Sequence, residues 1–421
     1  MAAGPLLSRR SFLYEATALA GLGALFRPAV AEELRKNQKR AILIWMSGGP
    51  SQLETWDPKP GTSSAGPHGT TATSIAGLHF DEYMPRLAHL ANQMVVVRSV
   101  SSKIADHEQA TTTGLTGSAP GNGRAAPLWL SICAKELIVD EAVWPSLVCL
   151  GQLEAATHGM PGGGFLGPRF DPLPCPGDGK PPEGLPTDAE IGAVRRRDAL
   201  REKLGADFRY GHDERPLAAH DNAFHQVTGL LDRRGLFDAS REPLKRVDRY
   251  GNTRLGRDCL LACRLVGHGV PFVLVAGRNL EWDLHREAAD RQKKVTAAFD
   301  MAVGALVDDL MARGLWEHTL VVLMGEFGRT PYLAREKGSG RDHWARCWSM
   351  SFGGAAARGG VVVGKTTDDG KDIKERPVTV PDLLVTFYAA LGLDPHKEVD
   401  VQGRPTPLVE RGVGKVIREA L

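Results

Sequence analysis

Short apolar runs alternate with longer amphipathic stretches along most of this chain. The runs predict buried strands because they are rich in aliphatic and aromatic residues and end at turn-forming or polar residues. They cover residues 41–46, 94–97, 145–150, 271–275, 320–324 and 348–352. The run at 320–324 is entirely apolar, which is typical of a central parallel strand that is buried on both faces.

The stretches between these runs have helical periodicity. They cover residues 82–91, 107–115, 189–204, 221–236, 253–265, 291–313 and 379–391. Within 291–313, Ala297, Met301, Ala305 and Leu306 repeat at helical spacing and are expected to face the core. Alternating strands and helices predict an α/β fold with a mostly parallel sheet, and ligands of such sheets bind beyond the carboxyl ends of the strands.

The first 31 residues have the order of an export signal. Arg9 and Arg10 stand in the sequence S-R-R-S-F-L, an apolar stretch follows at 16–26, and residues 29–31 read A-V-A. This order predicts a twin-arginine signal peptide, the translocation machinery as a partner, and a periplasmic or otherwise exported protein. An uncleaved anchor and a buried N-terminal helix with an incidental arginine pair are the alternatives.

Residues 32–421 are expected to form one large domain. A Gly/Pro-rich and then helical excursion interrupts its regular pattern at about 159–250. No later segment reaches the roughly 20 apolar residues that a membrane span needs, so no stable span is expected.

Composition narrows the function classes. The chain has 421 residues, 42% of them hydrophobic and 24% charged, and its net charge is +2 with no basic block, which argues against a nucleic-acid partner. None of the six cysteines forms a CxxC pair or a zinc-finger spacing, and a disulfide pairing stays open. No GxGxxG follows the first strand, and no iron–sulfur or haem spacing is present, which argues against a cofactor-loaded oxidoreductase.

Carboxylates and imidazoles cluster where the predicted strands end. Such side chains are the usual ligands of zinc and other hydrolytic divalent ions, which polarise phosphoryl or sulfuryl oxygens. Arg329, Arg341 or Arg346 could hold the anion, although surface ion pairs are the alternative for each. The clusters lie at 48–57, 106–108, 281–285, 325–330 and 340–344.

Several long motifs resemble one bacterial family. These are WMSGGPSQLETWDPKPG, the pair Asp283 and His285, VVLMGEFGRTP, GRDHW and GVVVGKTTDDG. Together they resemble the domain-of-unknown-function 1501 family, which is regarded as sulfatase-like within the alkaline-phosphatase superfamily. The resemblance implies a three-layer α/β/α sandwich with a mostly parallel central sheet and metal ligands at strand ends.

The resemblance also implies a metal-ligand set. Glu326 takes the place of the aspartate in the superfamily's late Asp-His motif, and Phe327 replaces the histidine. Asp283 and His285 resemble the earlier ligand pair with shortened spacing, and His343, with Asp342 beside it, resembles the late histidine. After the first strand a sulfatase has paired aspartates, for which Ser51, Glu54 or Asp57 could substitute here; we take Asp57. The ion is expected to be zinc, calcium or manganese.

The nucleophile is the main departure from the sulfatase pattern. Sulfatases carry C-x-P-S-R shortly before Thr-Gly; here Thr116-Gly117 matches the end of that motif, and His107 stands in the cysteine's place. A formylglycine mechanism is therefore not expected. Thr111, Thr112 or Thr113 could act as a phosphatase-type nucleophile, for which we take Thr112, or water could attack directly. Surface hydroxyls are the alternative reading of these threonines.

The sequence thus predicts an exported, metal-dependent hydrolase of phosphate or sulfate esters. Its candidate catalytic residues are His107, Thr112 and Arg329, and its substrate would be a small anionic ester or a sulfated or phosphorylated saccharide. Because the usual nucleophile and paired aspartates are missing, a non-catalytic binding protein of the cell envelope that retains the fold is the alternative.

Overall fold

The computed structural model describes residues 38–119, 125–138, 145–153, 161–186, 188–208, 231, 234–277, 280–286, 288–333, 340–401, 404–409 and 412–421. The predicted twin-arginine signal and most of the helix predicted at 221–236 lie outside these residues. Among the described residues, none belongs to a helix with the length and apolar character that crossing a membrane requires.

Each of the six predicted apolar runs forms a described strand, and eleven further described strands, all of them two to four residues long, are not predicted by these runs. They are β1 (Arg40–Trp45), β2 (Thr70–Ala72), β3 (His79–Asp81), β4 (Met94–Ser101), β5 (Leu147–Leu150), β6 (Leu173–Cys175), β7 (Phe272–Ala276), β8 (Thr319–Met324), β9 (Gly328–Arg329), β10 (His343–Trp344), β11 (Trp348–Gly353), β12 (Val361–Val363), β13 (Lys365–Thr366), β14 (Ile373–Glu375), β15 (Val378–Thr379), β16 (Glu398–Val401) and β17 (Arg404–Pro407).

The described α-helices alternate with these strands. They are α1 (Pro85–His89), α2 (His107–Thr116), α3 (Trp129–Leu137), α4 (Asp188–Phe208), α5 (Leu244–Arg249), α6 (Arg254–Gly267), α7 (Ala288–Ala312) and α8 (Val380–Ala390). The last of them begins with a capping box, in which Thr379 and Asp382 satisfy each other's backbone N–H groups.

One central sheet has the strand order β12-β4-β11-β8-β1-β7-β5-β6, with β15 also paired to β4. The pairs of this sheet are parallel except for the two that β11 makes with β4 and β8. Among the described strands of this sheet, β11 alone therefore runs in the opposite direction. The carboxyl ends of β1, β4, β7 and β8 consequently meet at one edge.

Helices cover both faces of this sheet. Along β1, Leu43 and Trp45 pack into one core with residues of α3 and α8, while Ile42 and Ile44 pack into a second core with residues of α6 and α7. This alternation follows from the period of two along a strand. The predicted three-layer α/β/α sandwich with a mostly parallel sheet is therefore confirmed.

Among the differences from the predicted pattern, two concern α7 and the stretch after residue 159. The core side of α7 carries Phe299, Val303 and Leu306, whereas Ala297 and Met301 are exposed, so the predicted apolar face was wrong at those two positions. The Gly/Pro-rich stretch after 159 also contributes β6, which pairs with β5 at the edge of the central sheet. That strand is only three residues long and contains a proline, and so has no clear period.

Candidate metal centre

Chain segments from five parts of the sequence meet at one edge of the sheet. Gly48, His107, Asp283 and Glu326 follow the carboxyl ends of β1, β4, β7 and β8. Because β11 runs in the opposite direction, the segment that precedes it brings His343 to the same edge. The topology therefore brings together residues as distant in the sequence as Gly48 and His343, which are 295 positions apart.

His107 lies at the start of α2, where Asp106 caps the helix by accepting a hydrogen bond from the Gln109 N–H. The His107 Nδ1 atom lies 2.7 Å from Glu326 Oε1, and its Nε2 atom lies 3.5 Å from Asp283 Oδ1. Burial lowers the pKa of the imidazole, but its contacts with the carboxylates of Asp283 and Glu326 outweigh burial and raise that pKa to about 9.

His285 and His343 approach the same carboxylate oxygen. The Nε2 atoms of His285 and His343 lie 2.9 and 3.4 Å from Asp283 Oδ1. Their Nδ1 atoms are held from behind: that of His285 lies 2.7 Å from Asp342 Oδ1, and that of His343 lies 2.7 Å from the carbonyl oxygen of Ala105. We call His107, Asp283, His285 and His343 the imidazole centre.

The partners of the three Nδ1 atoms assign the imidazole hydrogens. A carbonyl or carboxylate oxygen accepts, so each Nδ1 donates and each neutral ring has its lone pair on Nε2. The Nε2 atoms of His285 and His343 are only 3.2 Å apart. Two neutral rings would therefore direct lone pairs at each other, and a proton or a metal cation between them would relieve the repulsion.

Asp283 is held by the backbone on both sides. Its N–H donates to the Leu280 carbonyl at 2.8 Å, and the N–H of Trp282 donates to the Ser47 carbonyl at 3.1 Å. Burial alone would raise the pKa of the Asp283 carboxyl. Close contacts with the imidazoles of His107 and His343, together with the charge of Arg329, instead hold that pKa far below its usual range.

Gly48 connects three of these segments. Its N–H donates to Glu326 Oε1 at 2.8 Å, and its carbonyl accepts from the Arg329 guanidinium. Its φ is +107°, and a Cβ at this position would lie 2.5 Å from the Asp283 nitrogen. Only glycine fits so close an approach in this conformation.

The Arg329 guanidinium makes its hydrogen bonds to groups within the protein. Its Nε donates to the Gly49 carbonyl at 2.8 Å, and its NH1 to the Arg341 carbonyl at 3.1 Å, with His285 Nε2 at 3.4 Å. Its NH2 donates to the Gly48 carbonyl and, at 2.5 Å, to Asp283 Oδ1. All five N–H donors thus have acceptors and the side chain is 2% exposed, so this arginine is not free to hold a substrate anion as the sequence predicts.

The imidazole centre suits a divalent ion. The ligand atoms of His107, Asp283 and His343 lie within 4.8 Å of one another, and these side chains are partly exposed. Histidines that bind metals usually donate their other ring N–H to a carboxylate or a carbonyl, as these three do. Glu326 and Asp342, predicted as ligands, lie behind the imidazole rings as such acceptors.

Asp57 is not brought to this centre. Its carboxylate is 3% exposed and binds Lys59 Nζ at 3.0 Å, Arg98 NH1 at 3.3 Å and Thr366 Oγ1 at 2.5 Å. It thus links the loop after β1 to β4 and β13. Glu54, another predicted substitute, instead pairs with Arg341 and accepts from Ser51.

Thr112 lies on a different side of α2 from His107. Five residues turn an α-helix by about 140° beyond a full revolution, whereas four turn it by only about 40°. Thr111 therefore shares the face of His107, and its side chain is fully buried. Among the described residues its Oγ1 atom has no hydrogen-bond partner.

The structure adds contributors that the sequence analysis missed, and it places other residues in roles that differ from the predicted ones. The Ala105 carbonyl and the Gly48 backbone have no side-chain signature, and His107 is predicted as catalytic rather than as a ligand. Phe327, noted as a departure from the superfamily, packs its ring against His343 and His107 with centroids 4.6 and 4.9 Å apart. The phenylalanine that replaces a histidine therefore forms an apolar wall beside the two imidazoles.

Comparisons with known proteins find distant structural resemblances. A sulfatase from Pseudoalteromonas sp. is 12% identical, with a TM-score of 0.42, over 92% of this chain and 72% of its own. The lipoteichoic acid synthase LtaP from Listeria monocytogenes is 12% identical, with a TM-score of 0.41, over 91% and 76%. The zinc complex of the C-terminal periplasmic domain of EptC from Escherichia coli is 10% identical, with a TM-score of 0.40, over 91% and 89%.

The sequence itself matches no curated protein. It does match a family model described as protein of unknown function (DUF1501), over residues 38–421. This match spans all of the described chain and agrees with the motifs quoted from the sequence. The protein therefore belongs to the DUF1501 family.

Proposed function

We propose that this protein is an exported, metal-dependent hydrolase of phosphate or sulfate esters. One observation carries the proposal: three imidazoles are anchored through Nδ1 and direct Nε2 at a single oxygen of Asp283. A partly exposed set of nitrogen and oxygen donors at the carboxyl edge of a parallel sheet is suited to a hydrolytic metal ion.

The donor set favours zinc or manganese over calcium. Three imidazole nitrogens and one carboxylate oxygen suit zinc and other first-row ions, whereas calcium takes six to eight oxygen ligands. Such an ion would draw charge from an ester oxygen and lower the pKa of water. Of the three predicted metals, calcium is therefore the one that this centre supports least.

The residues behind the rings would keep the donors oriented. Glu326 accepts from the Nδ1 atom of His107 and from the Gly48 N–H, which fixes this ring against α2 and the loop after β1. Asp342 and the Ala105 carbonyl do the same for His285 and His343. Fixed Nδ1–H groups leave the Nε2 lone pairs directed at one point.

The attacking group stays a proposal with two candidates. Thr111 faces the same way as His107, so it supports a phosphatase-type nucleophile better than Thr112 does. Water is the other candidate, since no cysteine begins a C-x-P-S-R motif and all six cysteines are buried. Thr111→Val, which keeps the shape of the side chain, should abolish turnover only if the hydroxyl attacks; an active variant leaves water as the nucleophile.

Metal analysis and turnover test the function together. Purified mature protein should contain a divalent ion, and zinc or manganese should restore hydrolysis of p-nitrophenyl phosphate or sulfate after chelation. Ion bound without turnover of either ester would favour the alternative, a non-catalytic envelope protein. Absence of any bound ion, with no response to added zinc, manganese or calcium, would contradict both the metal and the hydrolase.

Export by the twin-arginine route is tested separately. Replacing Arg9 and Arg10 by lysine should retain the protein in the cytoplasm, whereas the unchanged chain should appear in the periplasm or medium. Equal distribution of the two proteins between the fractions would contradict this route without affecting the proposed chemistry.

A further inference from the structure

We propose that the Arg329 guanidinium is a built-in cation that takes the place of a second metal ion, so that the imidazole centre binds a single ion. Hydrolytic centres use one ion or two, and two ions in such centres lie about 3.5–4 Å apart and share ligands. The residues around the imidazole centre therefore decide whether this protein binds one ion or two. The inference rests on the proposed metal-dependent function.

The surroundings of Arg329 are those of a bound cation. Its acceptors are the carbonyl oxygens of Gly48, Gly49 and Arg341 and one carboxylate oxygen of Asp283. Carbonyl and carboxylate oxygens are also the ligands that hard divalent ions prefer. The guanidinium thus fills an oxygen-rich site that could otherwise hold an ion.

Asp283 is shared between this guanidinium and the imidazoles. The oxygen that lies 2.5 Å from Arg329 NH2 also lies within 3.5 Å of the Nε2 atoms of all three histidines. A carboxylate between two cations is the arrangement that a two-ion centre would have. Here one of the two cations belongs to the chain.

The guanidinium also differs from a bound metal ion in that it cannot dissociate from the protein. Its five donors are all satisfied and its side chain is 2% exposed, so it stays with Asp283 at any metal concentration. A permanent positive charge on Asp283 would orient the carboxylate. It would also repel a second ion.

The experiment compares Arg329→Ala with the unchanged protein and with Arg40→Ala. Arg40 is another buried arginine, 1% exposed, at the first position of β1 and so at the opposite end of this strand from Gly48. Zinc per chain is counted by elemental analysis, and zinc affinity is measured by chelator competition. Each protein is measured alone, with guanidinium at concentrations far below denaturing ones, and with urea at the same concentration.

The unchanged protein should bind one zinc ion per chain. Arg329→Ala should bind zinc at least tenfold more weakly, since partners that orient ligands typically contribute about 10–100-fold. Guanidinium should restore most of that affinity, and urea, which has a similar shape but no charge, should not. Arg40→Ala should keep its zinc affinity under all three conditions.

Three results would overturn the inference while leaving the metal centre intact. They are two ions per chain in the unchanged protein, unaltered zinc affinity in Arg329→Ala, and equal restoration by urea and guanidinium. If Arg329→Ala does not fold, Arg329→Lys replaces it, because lysine keeps the charge. That variant should retain one ion per chain and lose less than tenfold in affinity, and a larger loss would also count against the inference. If the unchanged protein bound no ion, the proposed function itself would fail.

Discussion

Two polar clusters near the same edge of the sheet differ in how completely they are paired. In the Glu54–Arg341 pair, Arg341 Nε and NH2 bind the Glu54 carboxylate at 2.9 and 2.8 Å, and NH1 and NH2 also bind the carbonyls of Thr330 and Ser64, each at 2.9 Å. Both side chains are 5% exposed or less. This cluster is saturated and buried, as a structural ion pair should be.

The imidazole centre is built from equally distant parts of the chain but is left unsaturated. Its histidines are 16–28% exposed, and three Nε2 atoms converge on one oxygen. A structural cluster is expected to be paired and buried, whereas a ligand site keeps partly exposed donor atoms that a ligand can reach. Hydrogen-bond pairing and exposure together therefore distinguish a structural cluster from a ligand site better than the residue types do.

The largest expected effect comes from breaking the saturated pair. Glu54→Ala would leave the Arg341 guanidinium buried without its carboxylate, which should lower the free energy of unfolding by about 3–5 kcal/mol. Urea denaturation would measure it. Glu419→Ala removes an exposed partner of Arg376 and should cost about 1 kcal/mol or less; similar losses in the two variants would erase the distinction drawn here.

Asp300 is expected to have an effect between those of the saturated pair and of the imidazole centre. Its carboxylate, on α7, is buried and accepts hydrogen bonds from the backbone N–H groups of Arg86 and Leu87. Burial raises the pKa of its carboxyl to about 6, so the native state binds more protons than the unfolded chain above the usual value of 3.8. Stability should therefore fall as the pH rises from about 4 to 6, by up to roughly 3 kcal/mol. Urea denaturation across this range should show a flatter profile for Asp300→Asn, and an unchanged slope would contradict the assignment; the exposed Asp308→Asn on the same helix is the control.

His343→Ala should reduce zinc affinity but not stability, whereas Glu54→Ala should reduce stability. Removing one converging nitrogen should weaken zinc binding by at least about 100-fold, because a direct ligand contributes no less than the partners behind it. The metal-free protein should lose little stability, since the side chain is 25% exposed. Chelator competition and thermal unfolding would measure the two effects, with the exposed His89→Ala as control; full zinc affinity in His343→Ala would remove this residue from the centre.

Gly48→Ala should have a smaller effect on the same centre. A Cβ placed 2.5 Å from the Asp283 nitrogen must displace the backbone that carries this ligand, so zinc affinity should fall about tenfold. Gly61→Ala is the matched control, because Gly61 also has a positive φ, +76°, but nothing lies within 4 Å of its added Cβ. Equal zinc affinities in the two variants would show that Gly48 is constrained only by its backbone conformation.

Much of the sandwich could be predicted because its signals are local. The apolar runs of β1 and β8 and the periodicity of α6 and α8 each lie within one short window of sequence. The hairpin of β9 and β10 was missed because each strand has two residues, too few to show any period. The core-facing side of α7 was predicted incorrectly because it contains Asp300, a charged residue that would be expected at the surface but is buried.

Some of the residues that meet at this edge of the sheet could be predicted from the sequence, but the contacts that each of them makes could not. The resemblance indicated Asp283, His285, Glu326 and His343, and the structure brings them to one edge. Whether Glu326 faces an ion or an imidazole depends on its contact with His107, which is 219 positions away. No local pattern encodes that distance, and the same limit explains why Asp57 was chosen although it pairs with Arg98.

The reversed direction of β11 has a consequence for the order of assembly. His343 precedes this strand, so the last histidine of the centre is held at this edge by a strand that lies between β4 and β8. A nascent chain that ends before residue 343 therefore cannot chelate a cation with the full donor set, however much of the earlier sheet has formed. Under the proposed function, metal binding would therefore report completed long-range folding, and a truncated chain should lack it.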